Sequence, residues 1–358
     1  PDTVTVLKKS AFCGCSALTE IQLSENLADI NSFAFDGCKS LKKIKVPDTV
    51  TKLGYQCFAN CTNLEEINIP AGWKECPSDT GNTGLGNQGS IFINCDNLVS
   101  VTVPEGITEI PDFGFSNCNK LRDVQLPESL LKIGKYAFYN CLNLSSSAVP
   151  QKVVEISQEA FSKCKSLLVV NIPDSVENIE KNAFENCSLL KTINYSGSKD
   201  KWKAININTI GNSIIDDIII NYDFKVQYTA EDFQGIWEGE YDGNSGSTIV
   251  RRHFVVKMKK CIVNGKYGRI SGEEIISPSE NEDSKYAANG SYQWTGTVNM
   301  LTGTFFYQGK TWIEYPEGYD NFDFVTYDGV LSIDKTTLEG INEKSSNRTF
   351  EATLLGST

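Results

Sequence analysis

The sequence predicts a repeat solenoid rich in short β-strands, followed by an all-β antiparallel domain that is a barrel or a sandwich. A phenylalanine recurs every 23 residues, with a single spacing of 34, and a cysteine stands three residues after each phenylalanine. After about residue 228 the repeat ends and aromatic residues become dense. We therefore divide the chain into a solenoid of eight coils with a C-terminal cap, residues 1–228, and a barrel-like domain, residues 229–358.

Each coil contains seven apolar positions, two of which alternate with polar residues near the end of the coil. The segment Leu64–Ile69 has this alternation, which predicts a short strand with one buried face, and Pro70 ends it because proline cannot donate to a strand ladder. One coil buries too little surface to fold alone, so the coils must stack and share strand hydrogen bonds. On the third coil the seven positions are Val50, Leu53, Phe58, Cys61, Leu64, Ile67 and Ile69.

Eight of the twelve cysteines occupy one position per coil, which predicts a column of buried free thiols. Zinc would need clustered ligands that include Cys-x₂-Cys pairs or histidines, so neither a metal site nor a disulfide framework is expected. The roles of Cys13, Cys57, Cys76 and Cys261 stay open. The column consists of Cys15, Cys38, Cys61, Cys95, Cys118, Cys141, Cys164 and Cys187.

The fourth coil carries an insertion, residues 71–90, that is rich in glycine and asparagine. This composition predicts a surface loop, and long loops on a rigid scaffold often carry binding residues. Trp73 is either the anchor of such a binding loop or a side chain tucked against the solenoid, and the sequence leaves both open.

The outward strand positions form the candidate partner-binding surface of the solenoid. They are mostly small or amide side chains, which suit a broad hydrogen-bonding contact with a protein or glycan and equally suit plain solvent. The polar column, as we call it, comprises Gln22, Lys45, Asn68, Thr102, Gln125, Ala148, Asn171 and Asn194.

The repeat pattern Val-x-x-Ile-x-x-x-Ala-Phe-x-x-Cys-x-x-Leu-x-x-Ile-x-Ile-Pro, seen in Leu167–Pro173 and Val176–Leu190, resembles the BspA-type leucine-rich repeat. The segment Ile193–Ile205 is similar to the unit that closes such arrays, with Trp202 as a lid. The resemblance implies a β-rich α/β horseshoe and a secreted or cell-surface bacterial protein that binds host macromolecules in adhesion. Because Pro1–Val4 repeats Pro47–Val50, we expect an upstream segment with a signal peptide or further repeats.

The second domain offers an alternative location for the function. Its start, Gly235-Ile236-Trp237, is similar to that of lipocalin-type barrels, which implies a small-ligand site. Trp294 and Trp312 are barrel core or a stacking platform for a partner. A glycan-active domain would need a carboxylate pair, for which Asp320 and Asp323 are the candidates.

Composition excludes several other classes of function. The net charge is −12 without a basic patch, which argues against nucleic acid as a partner. No apolar run approaches the roughly 18 residues of a membrane span. His253 is the only histidine, which excludes a histidine-based catalytic triad and a multi-histidine metal site. We predict a protein that is not an enzyme, with no cofactor and no metal.

Overall fold

The computed structural model describes residues 2–73, 90–225, 231–245, 248–264, 267–278, 290–299, 302, 304–314, 326–331, 337–342 and 348–356. The chain forms two compact units, Pro1–Phe224 and Lys225–Thr358. Residues 226–230 lie outside the described range, so the domain boundary after residue 228 stays a prediction. The first unit is a repeat solenoid of short parallel strands, and the second is an antiparallel sheet.

Each coil of the solenoid contributes up to two short strands, one before the repeat phenylalanine and one after the repeat cysteine. Most equivalent strands of successive coils pair in parallel, without a shift of register, as in Lys132↔Glu155 and Val169↔Thr192. The strands before the phenylalanine are β1 (Val6–Leu7), β2 (Asp29–Ile30), β4 (Lys52–Leu53), β7 (Glu109–Ile110), β9 (Lys132–Ile133), β11 (Glu155–Ile156), β13 (Asn178–Ile179) and β15 (Asn206–Ile207). Those after the cysteine are β3 (Lys43–Ile44), β5 (Glu66–Ile67), β6 (Ser100–Thr102), β8 (Asp123–Gln125), β10 (Ser146–Ala148), β12 (Val169–Ile172), β14 (Thr192–Tyr195) and β16 (Ile219–Asn221).

The repeat phenylalanines form a continuous stack through the core of the solenoid. From Phe12 to Phe184, neighbouring ring centroids lie 5.2–5.7 Å apart and their planes deviate by at most 13°. The stack continues across the fourth coil, where Phe58 and Phe92 lie 5.7 Å apart despite the insertion between them. The predicted phenylalanine core is therefore confirmed.

The predicted thiol column is confirmed for Cys38 and the six cysteines that follow it, all of which are free and buried. Each thiol donates to the carbonyl oxygen of the phenylalanine one coil earlier, at 3.1–3.3 Å, as from Cys141 Sγ to Phe115 O. Burial raises their pKa values, to about 11 at Cys38 and about 12 at Cys187. The expectation is wrong for Cys15, which is exposed because no described coil precedes its own.

The positions two residues before and two residues after the phenylalanine adopt left-handed conformations in every coil except the fourth, where only the second position does. The second position holds Gly14 and Gly37 in the first two coils, at φ 74° and 72°. In most later coils it holds asparagine, for example Asn117 at φ 59°. Glycine and asparagine tolerate this region best, which explains why the repeat reads Asn-Cys in so many coils.

Trp73 occupies the core position that a valine, leucine or isoleucine fills in other coils. Its N–H donates to Pro70 O at 3.0 Å, as that of Val50 does to Pro47 O, and its side chain is 1% exposed. The insertion thus leaves the coil after a core residue and returns at buried Ser90. Residues 74–89 lie outside the described part, so the surface loop stays a prediction.

The C-terminal end of the solenoid is covered by a cap with two short helices. Helix α1 (Lys199–Ala204) begins at Ser198, whose hydroxyl accepts from Lys201 N–H, and places Trp202 against Tyr195 at a centroid distance of 5.1 Å. Helix α2 (Ile214–Asp217) follows and buries Ile215. Trp202 is 7% exposed and belongs to the solenoid core, as expected for a lid.

The second unit is an eight-stranded antiparallel sheet preceded by a 3-10 turn, Glu231–Phe233. Each strand pairs with the next one in sequence, and the last pairs with the first. Trp237, Phe254 and Trp294 are buried on one side of this sheet. The strands are β17 (Gly235–Ser245), β18 (Thr248–Asn264), β19 (Tyr267–Pro278), β20 (Gly290–Asn299), β21 (Thr304–Glu314), β22 (Thr326–Leu331), β23 (Thr337–Asn342) and β24 (Arg348–Gly356).

Candidate functional site

The polar column is open to solvent only in its N-terminal half. Gln22, Lys45, Asn68 and Thr102 are exposed, whereas Gln125 and Ala148 are half-buried. The expectation of outward, accessible side chains is wrong for Asn171 and Asn194, which are 8% and 3% exposed. A partner that binds along this column can therefore contact the side chains of the early coils but not Asn171 and Asn194.

The buried Asn171 and Asn194 belong to a ladder of identical amides. Asn194 Nδ2 donates to Asn171 Oδ1 at 2.9 Å, and Asn221 Nδ2 donates to Asn194 Oδ1 at 2.8 Å. Coils in register bring equivalent side chains within hydrogen-bond distance, and paired amides can be buried at little cost. Asn68 also has a structural role, since its amide bonds both the N–H and the carbonyl of Val46.

The adjacent outward column changes from charged to buried along the same direction. Lys43 and Glu66 form an ion pair at 2.7 Å with both side chains about two-thirds exposed, so it contributes little stability. Asp123 lies further along the column and is half-buried, and Ser146 and Val169 after it are buried. Burial raises the pKa of Asp123 to about 6, against the opposing effect of a hydrogen bond with Gln125.

The three tryptophans predicted as partner contacts differ in their placement. Trp73 is buried, so its role as an exposed anchor is wrong and the tucked alternative is confirmed. Trp294 is 1% exposed, which places it in the core of the second unit and not on a stacking platform. Trp312 lies on β21, but its side chain is outside the described part of the chain. Asp320 and Asp323 are likewise outside it.

A group of aromatic residues on the solenoid surface was missed by the sequence reasoning. The rings of Phe113 and Tyr136 stack at 4.6 Å, and Tyr139 packs edge-on against Tyr136 at 5.6 Å. Tyr136 Oη donates to Glu159 Oε1 at 2.8 Å, and Lys163 Nζ lies 4.8 Å from the Tyr139 ring centroid. The pattern that could have revealed the group is two aromatic residues at the same repeat position, two before the core phenylalanine.

This aromatic group occupies unfavourable backbone positions. Phe113 and Tyr136 have φ of 59° and 57°, a region that costs a non-glycine residue about 1–2 kcal/mol. Both rings are half-buried, although the core already has its own phenylalanine in each coil. One face of the Phe113 ring is covered by Tyr136, and Lys163 lies over the Tyr139 ring.

Within the described residues no group of three or more His, Cys, Asp or Glu side chains could hold a metal ion. Nor does any helix in this part of the chain have the length and apolar character needed to cross a bilayer.

Three solved structures are similar to this chain. A leucine-rich cell surface protein of Faecalibacterium prausnitzii is 25% identical, with 57% of this chain and 61% of that one covered and a TM-score of 0.37. A leucine-rich repeat protein of T. pallidum is 26% identical, covering 48% and 75% with a TM-score of 0.39. One from Bacteroides ovatus is 22% identical, covering 62% and 73% with a TM-score of 0.34. The chain thus spans less than two thirds of the first of these proteins.

No curated protein matches the chain. The sequence profile of the BspA type leucine-rich repeat region matches residues 1–80 and 88–215 with six copies, which is more than half of the chain. The match coincides with the coils that carry the phenylalanine stack and the thiol column. The protein therefore belongs to the BspA-type leucine-rich repeat family.

Proposed function

We propose that this protein is a secreted or cell-surface binding protein that recognises a protein or glycan partner in adhesion, through the exposed half of its polar column. The observation that supports this most directly is the alignment of Gln22, Lys45 and Thr102, which are exposed on successive parts of a rigid stack. Because the stacked coils already hold the backbone of this row in place, binding does not have to order the chain that carries these side chains.

The test compares two triple variants of the full chain against immobilised matrix proteins and an oligosaccharide array. The first replaces Gln22, Lys45 and Thr102 by alanine. The control replaces Thr51, Thr108 and Glu177 by alanine; these residues are exposed and immediately precede β4, β7 and β13. We expect the first variant to lose at least about tenfold in affinity and the control to stay within about twofold, since 1.4 kcal/mol corresponds to a factor of ten. Equal losses in both, or none in either, would refute the site.

A second candidate function, small-ligand binding, resides in the second unit. We infer that its ring of eight paired strands closes as a barrel, a form that can hold one small ligand. One observation favours this: Trp237 is fully buried, and its Nε1–H has no acceptor among the described residues. A buried donor left unpaired costs about 1–3 kcal/mol, which a ligand with an acceptor atom would offset.

The probe for this candidate is 1-anilinonaphthalene-8-sulfonate, which combines apolar rings with a sulfonate acceptor. We expect saturable binding at one site per chain and at least threefold weaker binding to Trp237→Phe, which keeps an aromatic side chain and removes the donor. Unsaturable binding, or equal binding to both forms, would contradict it.

A further inference from the structure

The cap at the C-terminal end of the solenoid contains an open cavity of about 400 Å³. Its lining comes from β15, helix α2, β16 and the residues that join or follow them, together with Trp202 of helix α1. The volume lies within the range of roughly 300–1,000 Å³ that is typical of small-molecule sites. The apolar side chains of the lining are Trp202, Ile207, Ile215, Ile218, Ile220 and Tyr222.

Apart from Asn212, the lining is apolar where it is buried and polar where it is exposed. Trp202 and Ile215 are 7% and 6% exposed, and the other apolar side chains of the lining are half-buried. Thr209 and Asp216 are the exposed residues of the lining. A ligand that fits this gradient has an apolar body and a polar end.

The loop before helix α2, which carries Asn212, is held in place by the preceding coil. The Asn212 side chain is 2% exposed, and its amide donates to Glu180 O at 2.8 Å and to Asn208 O at 2.7 Å. It also accepts from Phe184 N–H at 3.1 Å, so its polar atoms are already bonded within the protein. This side of the cavity is therefore preformed, which lowers the entropic cost of binding.

Three side chains of the lining are available to bond the polar end of a ligand. They are those of Thr209, Asp216 and Tyr222, none of which has a hydrogen-bond or ion-pair partner among the described residues. Carboxylate and hydroxyl oxygens accept hydrogen bonds, and a primary ammonium group supplies three donors. An ammonium group therefore matches the polar atoms of the lining.

Charge also favours a cation as the polar end. Within the described part of the chain, Asp216 is the only charged residue of the lining, and the whole chain carries a net charge of −12. Lys199 does not line the cavity, but its Nζ lies 5.9 Å from the Tyr222 ring centroid. The positive group of a ligand is therefore favoured beside Asp216 and disfavoured beside Tyr222.

We propose that this cavity binds a small amphipathic amine. The apolar body of the amine packs against Trp202, Ile215 and Ile218, and its ammonium group donates to the carboxylate of Asp216. Because Asp216 is exposed, the ion pair contributes modestly to affinity, and burial of the apolar body contributes the larger part. The site is separate from the polar column and from the second unit, so it is independent of the functions proposed above.

The probe is phenethylamine, titrated into the full chain by isothermal calorimetry. 2-Phenylethanol is its neutral isostere, and 3-phenylpropionate carries the opposite charge on a similar body. We expect saturable binding of phenethylamine at one site per chain. Binding of 2-phenylethanol should be weaker by about three- to fivefold, which is the upper range of an exposed ion pair, and 3-phenylpropionate should bind more weakly than both.

Variants of the chain locate the two ends of the ligand. Asp216→Asn should weaken phenethylamine binding by about three- to fivefold and leave 2-phenylethanol binding unchanged. The control, Asp217→Asn, removes the same charge from an exposed neighbour outside the lining and should change neither. Ile218→Ser should weaken both ligands alike, because it removes part of the apolar wall. Trp237→Phe, in the second unit, should affect neither ligand.

The ligand series is measured on the unchanged chain, so it remains decisive where a variant fails to fold. Equal binding of phenethylamine and 2-phenylethanol, equal effects of the two aspartate variants, or no saturable binding would overturn the proposal. So would a loss of binding in Trp237→Phe with none in Asp216→Asn, since that result would assign the ligand to the second unit.

Discussion

At the scale of single residues, the position of a side chain along the stack decides its environment as much as its identity does. Lys45 and Asn194 occupy the same column, yet one is exposed and the other is 3% exposed and bonded to two asparagines. The same contrast separates Glu20, which is exposed, from Asp123, which is half-buried. Exposure therefore decreases along a column, and burial at Asp123 disfavours the ionised carboxylate.

Asp123 should make the stability of the solenoid depend on pH. Its pKa is raised from 3.8 to about 6 in the folded state, so the folded chain binds the proton more tightly than the unfolded chain. Stability should fall as pH rises from about 4 to about 6, by up to about 3 kcal/mol, because one pKa unit corresponds to about 1.4 kcal/mol. Asp123→Asn should remove this loss and be more stable than the wild type at pH 7.

Urea denaturation at pH 4, 5, 6 and 7 measures the effect, with Glu20→Gln as control because Glu20 is exposed in the same column. A pH profile of Asp123→Asn that parallels the wild type would show that the carboxylate is ionised freely in the native state.

At the scale of the coil, ladders of side-chain hydrogen bonds link neighbouring coils. They add to the few backbone hydrogen bonds that strands of two to four residues can form. One ladder runs from Asn140 through Asn117, Asn94 and Asn60 to Asp36, with nitrogen-to-oxygen distances of 2.7–3.0 Å. Each asparagine also supplies a left-handed backbone conformation. The repeat position thus combines a turn residue with an inter-coil bond.

A pair of glycine variants separates these two roles. Asn117→Gly keeps the left-handed conformation but removes the bonds to Asn94 and Asn140, and should cost about 1–3 kcal/mol of unfolding free energy. Asn186→Gly, at the same φ of 59° but exposed and outside this ladder, should stay within about 1 kcal/mol of the wild type. Thermal denaturation of both checks this, and equal losses would mean that the ladder contributes nothing.

Structural elements could be predicted from the sequence where their residue pattern recurs from coil to coil. The phenylalanine and cysteine spacings predicted the core because they recur in every coil. Trp73 was ambiguous because it occurs once, although Pro70 to Trp73 has the same spacing as Pro47 to Val50 and could have placed it. The burial of Asn171 and Asn194 was not predicted, because spacing within a coil indicates which way a side chain faces and not how much of it is exposed.

At the scale of the whole molecule, the solenoid is a one-dimensional array in which each coil is stabilised by its two neighbours. Phe138 is buried between Phe115 and Phe161, at centroid distances of 5.6 and 5.3 Å. Phe12 is half-buried and stacks on Phe35 alone among the described rings. Substitutions at Phe138 and at Phe12 should therefore destabilise different numbers of coils.

Phe138→Ala should cost about 3–5 kcal/mol and lower hydrogen-exchange protection in the coils on both sides of it. Phe12→Ala should cost less and affect the first coil alone. Exchange measured by mass spectrometry distinguishes the two outcomes, and a loss of protection confined to the coil of Phe138 would show that the coils are independent.

The insertion in the fourth coil bears on how a repeat protein of this kind can change in evolution. Compared with the other coils, the fourth has eleven extra residues between Trp73 and Ser90, yet the centroids of Phe58 and Phe92 remain 5.7 Å apart and Cys95 Sγ remains 3.2 Å from Phe58 O. Adjacent turns hold each other through the core, so the outer segment of this one can be exchanged or lengthened while the stack keeps its order. New surface can therefore be added at coil four without a change in the rest of the stack.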